Sequence, residues 1–381
     1  MGRLNSGYRA VIRVVHVYKD FHPVPGGIEG HIRDLTARLR QLGVDVSVLV
    51  TSPDRVTRRD TLFGVPVTRA ARLAHVASTP ISLALFRELW RISADIYHLH
   101  FPYPVGELAY LLRARGRLVI TYHSDIVRQR TLLRFYRPLL GSLLRRADAI
   151  LVTSPQYLAS SPFLQAVALK CRLVPLGIDV GRFDAVDSGR VEAWRAKLGT
   201  PLVLFVGRFR YYKGLDYLIK AAALSPGFRL GLVGSGPEEP RLRRLVADCG
   251  LGARVTFLGD VPDEDLPALY RAADVYVLPA SERSEAFGVS LLEAMAAGLP
   301  VVSTDLGTGT SYVNRHGETG LVVPPRDPAA LAAAITELLA DPDRRRAMGA
   351  AGRRRVEAGF TLDRLVKDVL RVYAEVLGRP F

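Results

Sequence analysis

Short runs rich in Val, Ile and Leu recur along the chain, and stretches with helical spacing separate them. Residues 11–17, 44–50, 95–100, 118–122, 149–153 and 171–177 make a first series, and 202–206, 230–233, 255–258, 275–278 and 301–304 a second. Runs this short and this continuously apolar suit parallel strands buried on both faces, with helices covering them. Strands alternating with helices predict an α/β chain of doubly wound sheets. Between the two series, residues 179–195 lose the apolar period and carry Gly181, Asp184, Asp187 and Gly189. The expected organisation is a Rossmann-like domain over 1–180, a linker over 181–195 and a second Rossmann-like domain over 196–361. A length of 381 residues is comfortable for two such cores.

In the second series one stretch stands out: Ser284-Glu285-Ala286-Phe287-Gly288-Val289-Ser290-Leu291-Leu292-Glu293. Phe287-Gly288-Val289 reads as the start of a helix that Gly298 and Pro300 stop. The first turn of a helix leaves amides without intrahelical partners, which favours an anion there. Carboxylates only accept hydrogen bonds, and the two oxygens of one can take both hydroxyls of a vicinal diol. A solvated loop Glu285 and a capping box formed by Ser290 and Glu293 are the plainer readings of the same residues.

Upstream, the strand over 202–206 runs into Gly207-Arg208-Phe209-Arg210-Tyr211-Tyr212-Lys213-Gly214. Arg supplies a fork and Lys a point charge to phosphate oxygens. Taken alone, two cations in one loop are most simply a solvated surface.

Together these segments resemble retaining glycosyltransferases of family 4. Glu285-x7-Glu293 matches the E-x7-E motif, and Gly207-Arg208 with Lys213-Gly214 the GR-x4-KG segment. The likeness extends from Gly26-Gly27 to Gly320-Leu321-Val322-Val323-Pro324. It implies a GT-B fold, two doubly wound domains facing across a cleft, with the C-terminal helix 362–381 packing back on the first. It further implies a nucleotide-diphosphate sugar as co-substrate, no cofactor and no dedicated metal. Arg208 and Lys213 would hold the departing diphosphate, and Phe287, Gly288 and Val289 would supply amides to phosphate and sugar. Glu285 would contact sugar hydroxyls, Glu293 the ribose, and Val261 would lie beside the base. His123, at the end of the strand over 118–122, would touch the sugar from the opposing domain. Gly27 would let the loop after the first strand lie over the donor phosphates and the acceptor. Asp125 is a candidate for orienting His123 or meeting the acceptor. Segments such as YYKGLDYL and GTGTSYVN resemble mannosyl- and rhamnosyltransferases of surface polysaccharide assembly, which favours GDP-mannose or a related GDP-sugar, with a UDP-sugar second.

Charge bears on the acceptor. Residues 1–180 hold 25 basic and 12 acidic side chains, net +13; the rest hold 52 − 25 = 27 and 37 − 12 = 25, net +2. A positive first half concentrates anions, which suits a polyprenyl-diphosphate-linked acceptor; the resemblance implies a glycan as the other acceptor class. Within it, residues 128–146 form an amphipathic pattern: Arg130, Arg134, Arg137 and Arg145 on one side, Leu132, Tyr136, Leu139, Leu140 and Leu143 on the other. Its basic face could meet anionic lipid on the inner face of the plasma membrane, while burial of the Leu face makes it an ordinary surface helix. Pro138 would kink or divide it.

No run is long enough to span a bilayer, and Arg3, Arg9 and Arg13 precede no apolar signal region; a cytoplasmic location is expected. Cys171 and Cys249 match no metal or redox spacing. His98 and His100 share a strand face but lack an evident third ligand. No nucleic-acid motif is present. The competing function class is a non-catalytic module that binds anionic polymer or lipid.

Overall fold

The computed structural model describes residues 11–76, 79–126 and 130–379, the side chains of 130–133 excepted. Its first-half strands are β1 (Arg13–Val17), β2 (Asp45–Thr51), β3 (Arg58–Leu62), β4 (Val65–Ala70), β5 (Ala74–Val76), β6 (Thr79–Ile81), β7 (Ile96–Phe101), β8 (Arg117–Tyr122), β9 (Ala149–Val152) and β10 (Cys171–Leu173). Eight of them form a sheet in the order β10-β9-β8-β7-β1-β2-β4-β3, with β5 and β6 paired apart. Only β3, on the edge, runs antiparallel, against β4. Helices α1 (Gly27–Gln41), α2 (Leu83–Arg91), α3 (Pro104–Arg113), α4 (Arg130–Arg146), α5 (Pro155–Ser160) and α6 (Pro162–Gln165) join these strands.

The second half repeats the plan with β11 (Leu202–Val206), β12 (Arg229–Val233), β13 (Val255–Gly259), β14 (Val275–Leu278), β15 (Val301–Thr304) and β16 (Gly320–Val323). This sheet is wholly parallel, in the order β13-β12-β11-β14-β15-β16. Its helices are α7 (Ser188–Leu198), α8 (Leu215–Leu224), α9 (Glu239–Asp248), α10 (Leu266–Ala272), α11 (Val289–Ala296), α12 (Gly309–Val313), α13 (Pro328–Ala340), α14 (Pro342–Gly359) and α15 (Leu362–Leu377). In each sheet the strand order reverses beside the first strand of its half, β1 or β11. Open α/β sheets seat ligands beyond the carboxyl ends of their strands at that reversal. The loops after β1 and β8 therefore face the loops after β11 and β14.

The stretch over 181–195, which shows no apolar period, is largely regular. A 3-10 turn over Val180–Phe183 buries Phe183 in the second core, and α7 follows at once. Asp187 caps α7 by accepting from the Gly189 amide (2.9 Å), but only Leu198 is buried. A helix that is polar nearly all round carries no period to read. The strand expected over 171–177 also stops early, at Leu173.

Beyond β10 the chain crosses its own return path. The Ile178 amide donates to Phe360 O (2.9 Å), and the Leu362 amide donates to Ile178 O (2.8 Å). A Cβ at Gly177 would sit 2.3 Å from Thr361 O, so a side chain there would force the crossing apart. Past this point α15 turns onto the first domain. Leu365, Val366, Val369, Val372 and Tyr373 belong to the core of the opposite half of the chain. Helix α4 continues through Pro138. Its Leu140 and Leu143 are buried, whereas Arg134, Arg137 and Arg145 are exposed. The Leu132 and Arg130 side chains lie outside what the structure describes.

Candidate active site

Strand β11 ends in a loop shaped by a glycine. Gly214 has φ +67°, and a Cβ there would lie 2.1 Å from Pro279 O, so only glycine lets this loop close on the end of β14. The Ser281 amide donates to Tyr212 O (2.8 Å), tying the two loops together. That closure brings Lys213 Nζ to 2.6 Å from Glu285 Oε2, with both side chains nearly buried. Burial alone would lower the lysine pKa. The neighbouring carboxylate, with help from the Tyr212 and Tyr276 phenols, more than offsets it and leaves Lys213 firmly cationic.

Glu285 is held from behind. Thr308 Oγ1 donates to Glu285 O (2.9 Å), and the Gly309 amide donates to Ala286 O (2.7 Å). These residues follow β15. Gly288, with φ +84°, is the N-cap of α11 and has no side-chain cap, so the first amides of that helix are not capped by a side chain. Phe287 is buried against Phe360, with ring centroids 6.0 Å apart.

The capping box between Ser290 and Glu293 does not form, because α11 already begins at Val289. Glu293 instead accepts from the Tyr270 hydroxyl (2.9 Å). Burial raises its carboxyl pKa, against the pull of that hydrogen bond and of Arg182. Arg208 is half-buried and takes part in no ion pair among the described residues. Val261 packs partly against the second core, just past the end of β13.

The facing wall comes from the first domain. Gly26 caps α1, and a Cβ on Gly27 would meet open space. Glu29, in the first turn of α1, folds its carboxylate back over Gly26. Sequence reasoning missed it, since a helix-start Glu looks like ordinary dipole compensation. Burial lifts its pKa to about 6, while its own backbone amide, Lys19 and Arg208 oppose the rise. The folded value exceeds the unfolded one, so the ionised form costs stability above about pH 6, and the cost fades as pH falls toward 4.5. Glu29→Gln should therefore stabilise the protein by roughly 1–2 kcal/mol at pH 7.5 and by almost nothing at pH 4.5. Urea midpoints at the two pH values would measure this; equal gains at both would refute it.

His123 is buried beneath this wall, where burial holds its pKa well below the usual imidazole range. Its Nε2 lies 3.0 Å from His100 Nδ1. Asp125 does not orient it. That carboxylate accepts from Tyr122 (2.7 Å) and Ser161 (2.8 Å) and faces Arg283 at 3.5 Å. Arg283 also donates to Ser160 Oγ (2.9 Å) and Gly307 O (3.2 Å), so it links the His123 loop to the Glu285 loop across the cleft. A second bridge joins Arg33 to Asp263 (2.9 Å).

His98 and His100 have more company than their spacing suggests, because β1 places His16 beside His98 in register. His16, His98 and His100, and likewise His31, His100 and His123, bring ring nitrogens within 4.8 Å of one another. His16 Nδ1 and His100 Nε2 are 2.9 Å apart, closer than the about 3.3 Å edge between nitrogens on one tetrahedral zinc. The His16–His100 and His100–His123 spacings are those of hydrogen bonds between neutral rings, whereas both buried ring nitrogens of His31 have no hydrogen-bond partner among the described residues.

Residues 25–182 match the family model "Glycosyltransferase Family 4", and residues 191–355 match "Glycosyl transferases group 1". The chain is a family 4 glycosyltransferase. This glycosyltransferase is 40% identical over 354 residues to D-rhamnosyltransferase WbpZ of Pseudomonas aeruginosa, covering 92% of each chain. It is 38% identical to O-antigen chain mannosyltransferase C of Escherichia coli, over 96% of this chain and 99% of that one. Among solved structures, sucrose-phosphate synthase from Thermosynechococcus elongatus superposes with a TM-score of 0.81 at 28% identity, over 96% and 99% of the two chains. The Anabaena HepE complex with UDP-glucose shares the fold at 20% identity and a TM-score of 0.80, over 96% and 100%. The glycosyltransferase is thus a GT-B protein. No helix among its described residues is long and apolar enough to cross a membrane.

Proposed function

We propose that this hexosyltransferase moves mannose or a rhamnose-type sugar from a GDP-sugar to a glycan or polyprenyl-diphosphate-linked acceptor, with retention at the anomeric carbon. Support comes first from one observation, the desolvated Lys213–Glu285 pair at the strand-order reversal of the second sheet. A diphosphate and a sugar arriving there meet a cation and a carboxylate already in place. Arg208 is the second cation, with no ion-pair partner among the described residues. The amides of Phe287, Gly288 and Val289 take phosphate and sugar oxygens, Glu293 the ribose, and Val261 lies by the base. Gly27 and His123 close the site from the first domain.

The bond from the anomeric carbon to the phosphate oxygen breaks while the acceptor oxygen bonds on the same face. The departing phosphate oxygen takes the acceptor's proton. Negative charge grows on the diphosphate, where fixed cations lower the barrier without solvent reorganisation. No step in this route calls on a metal or a cofactor.

The named activities of the rhamnosyl- and mannosyltransferase relatives support the choice of sugar. Exposed Arg134, Arg137 and Arg145 on α4, beside a Phe135 that is 79% exposed, support peripheral contact with anionic lipid at the cytoplasmic membrane face. The test is a panel of GDP- and UDP-sugars, with polyprenyl-diphosphate sugar presented in anionic vesicles or in detergent. A product from GDP-mannose or GDP-rhamnose with the donor's anomeric configuration is expected, formed faster on vesicles and slowed there by salt. Transfer from UDP-sugars alone would overturn the base, an inverted product the stereochemistry, and equal rates in detergent the membrane contact.

A further inference from the structure

We infer that the protein carries a second anion site, a cleft of four arginines beside the crossing of the chain, which takes the phosphate group of a phosphate monoester or diphosphate. None of the residues assigned to sugar transfer lines it.

The cleft has a volume of about 510 Å³, a size that suits a small molecule. The end of α12, the loop over 314–319, the last turns of α14 and the start of α15 form its walls. Arg315, Arg354, Arg355 and Arg364 line it, and Glu318 is the one carboxylate among the lining residues. The second half of the chain is close to neutral, with 27 basic and 25 acidic side chains, so this concentration of cations is local.

Arg355 is half-buried and held by neutral groups. Its Nε donates to Val313 O (2.9 Å) and its Nη2 to Tyr312 O (2.5 Å). Its guanidinium carbon stands 5.8 Å from the Tyr312 ring centroid and 5.3 Å from that of Phe360. These contacts fix the guanidinium without matching its charge. Burial, and then the charge of Arg315, push its pKa below the ordinary arginine value, while Glu318 and the Tyr312 phenol oppose the fall. An arginine does not shed its proton to relieve such a strain; an anion in the cleft relieves it. Arg354 is exposed and takes part in no ion pair among the described residues. Arg315 meets Glu318 at 3.2 Å on the surface. Arg364 donates to Ala358 O (2.8 Å) and faces Asp368 at 3.8 Å. Exposed pairs of this kind are worth little, so both cations can turn to a ligand.

The arginines also choose the ligand. Their planar N–H forks match phosphate oxygens. A phosphate monoester carries about −1.5 to −2 charges near pH 7, which answers several guanidiniums better than a single carboxylate does. A soluble phosphate ester and a phospholipid headgroup share this chemistry.

Glycerol 3-phosphate and vesicles containing phosphatidic acid present one phosphate monoester in soluble and membrane form, and inorganic pyrophosphate presents a diphosphate. Calorimetric titration of the full-length protein with each probe is the test. The double change Arg315→Gln with Arg354→Gln touches only exposed side chains and should weaken binding roughly tenfold or more. Without any probe, its sugar transfer should stay within about twofold of the parent's. Arg208→Gln, in the catalytic cleft, should leave the affinity for glycerol 3-phosphate as it was. Binding of the soluble probes assigns the site to a soluble phosphate, and binding of the vesicles alone assigns it to a headgroup. The site is overturned by equal affinity in the parent and the double variant, by a loss that follows Arg208→Gln instead, or by no binding of any of the three probes.

Discussion

A Glu285→Gln enzyme is expected to bind nucleotide normally yet transfer sugar roughly 10³-fold more slowly than its parent, the order seen when one fixed electrostatic contact is removed from a water-excluded site. The amide keeps the size of the carboxylate, so Thr308 and Gly309 can still hold the loop by its backbone. What changes is polarity. A carboxylate accepts from two sugar hydroxyls, whereas an amide offers one accepting oxygen and presents N–H to the second hydroxyl. Lys213 also loses the partner that keeps it oriented 2.6 Å away. The loss should appear in kcat, because the diphosphate still finds Arg208 and the α11 amides. Steady-state kinetics with saturating donor and acceptor would measure it. Turnover within tenfold of the parent would reject Glu285 as a sugar contact.

Legibility in the sequence followed how locally each feature is built. The cluster at 207–214 and the pair at 285 and 293 were readable because the first is one loop and the second one loop with the helix it enters, and their strands β11 and β14 are neighbours in the sheet. Tight loops at the ends of buried strands leave little freedom in where their side chains point. The buried histidine cluster was not readable. His16 and Tyr373 are 357 positions apart, and only the return of α15 onto the first core joins them. His98 and His100 therefore looked like two isolated ring systems. Helix α7 and strand β3 escaped for a different reason, since neither buries a periodic face. Burial generates the signal that periodicity detects, so an element held by caps or an edge ladder gives none. Glu29 lay in plain view. Only the crowding of its carboxylate over Gly26 separates it from an exposed helix-start acid.

Lys213→Met tests whether the buried pair serves structure, chemistry or both. Removing one partner from a buried pair leaves the other charge stranded, at a cost of about 3–5 kcal/mol. Lys213→Met should therefore lower stability by about that amount, and it should also abolish most transfer by withdrawing a cation from the departing diphosphate. The folded lysine titrates above its ordinary 10.5. Its stabilisation is thus complete below that pH and declines only as pH climbs through the higher folded value, so the deficit should be constant between about pH 6 and 9. The double change Lys213→Met with Glu285→Gln removes both charges at once. A neutral amide beside a thioether costs far less to bury than a lone carboxylate, so the double variant should recover most of the stability while staying as inactive as the worse single one. Chemical denaturation and single-turnover transfer, run on all four proteins, separate the two roles. If the two stability losses simply add, the pair has no coupling and the closed loop owes its shape to Gly214 and the backbone bond from Ser281 alone. If Lys213→Met turns over normally, the departing diphosphate is held by Arg208 and the helix amides without it.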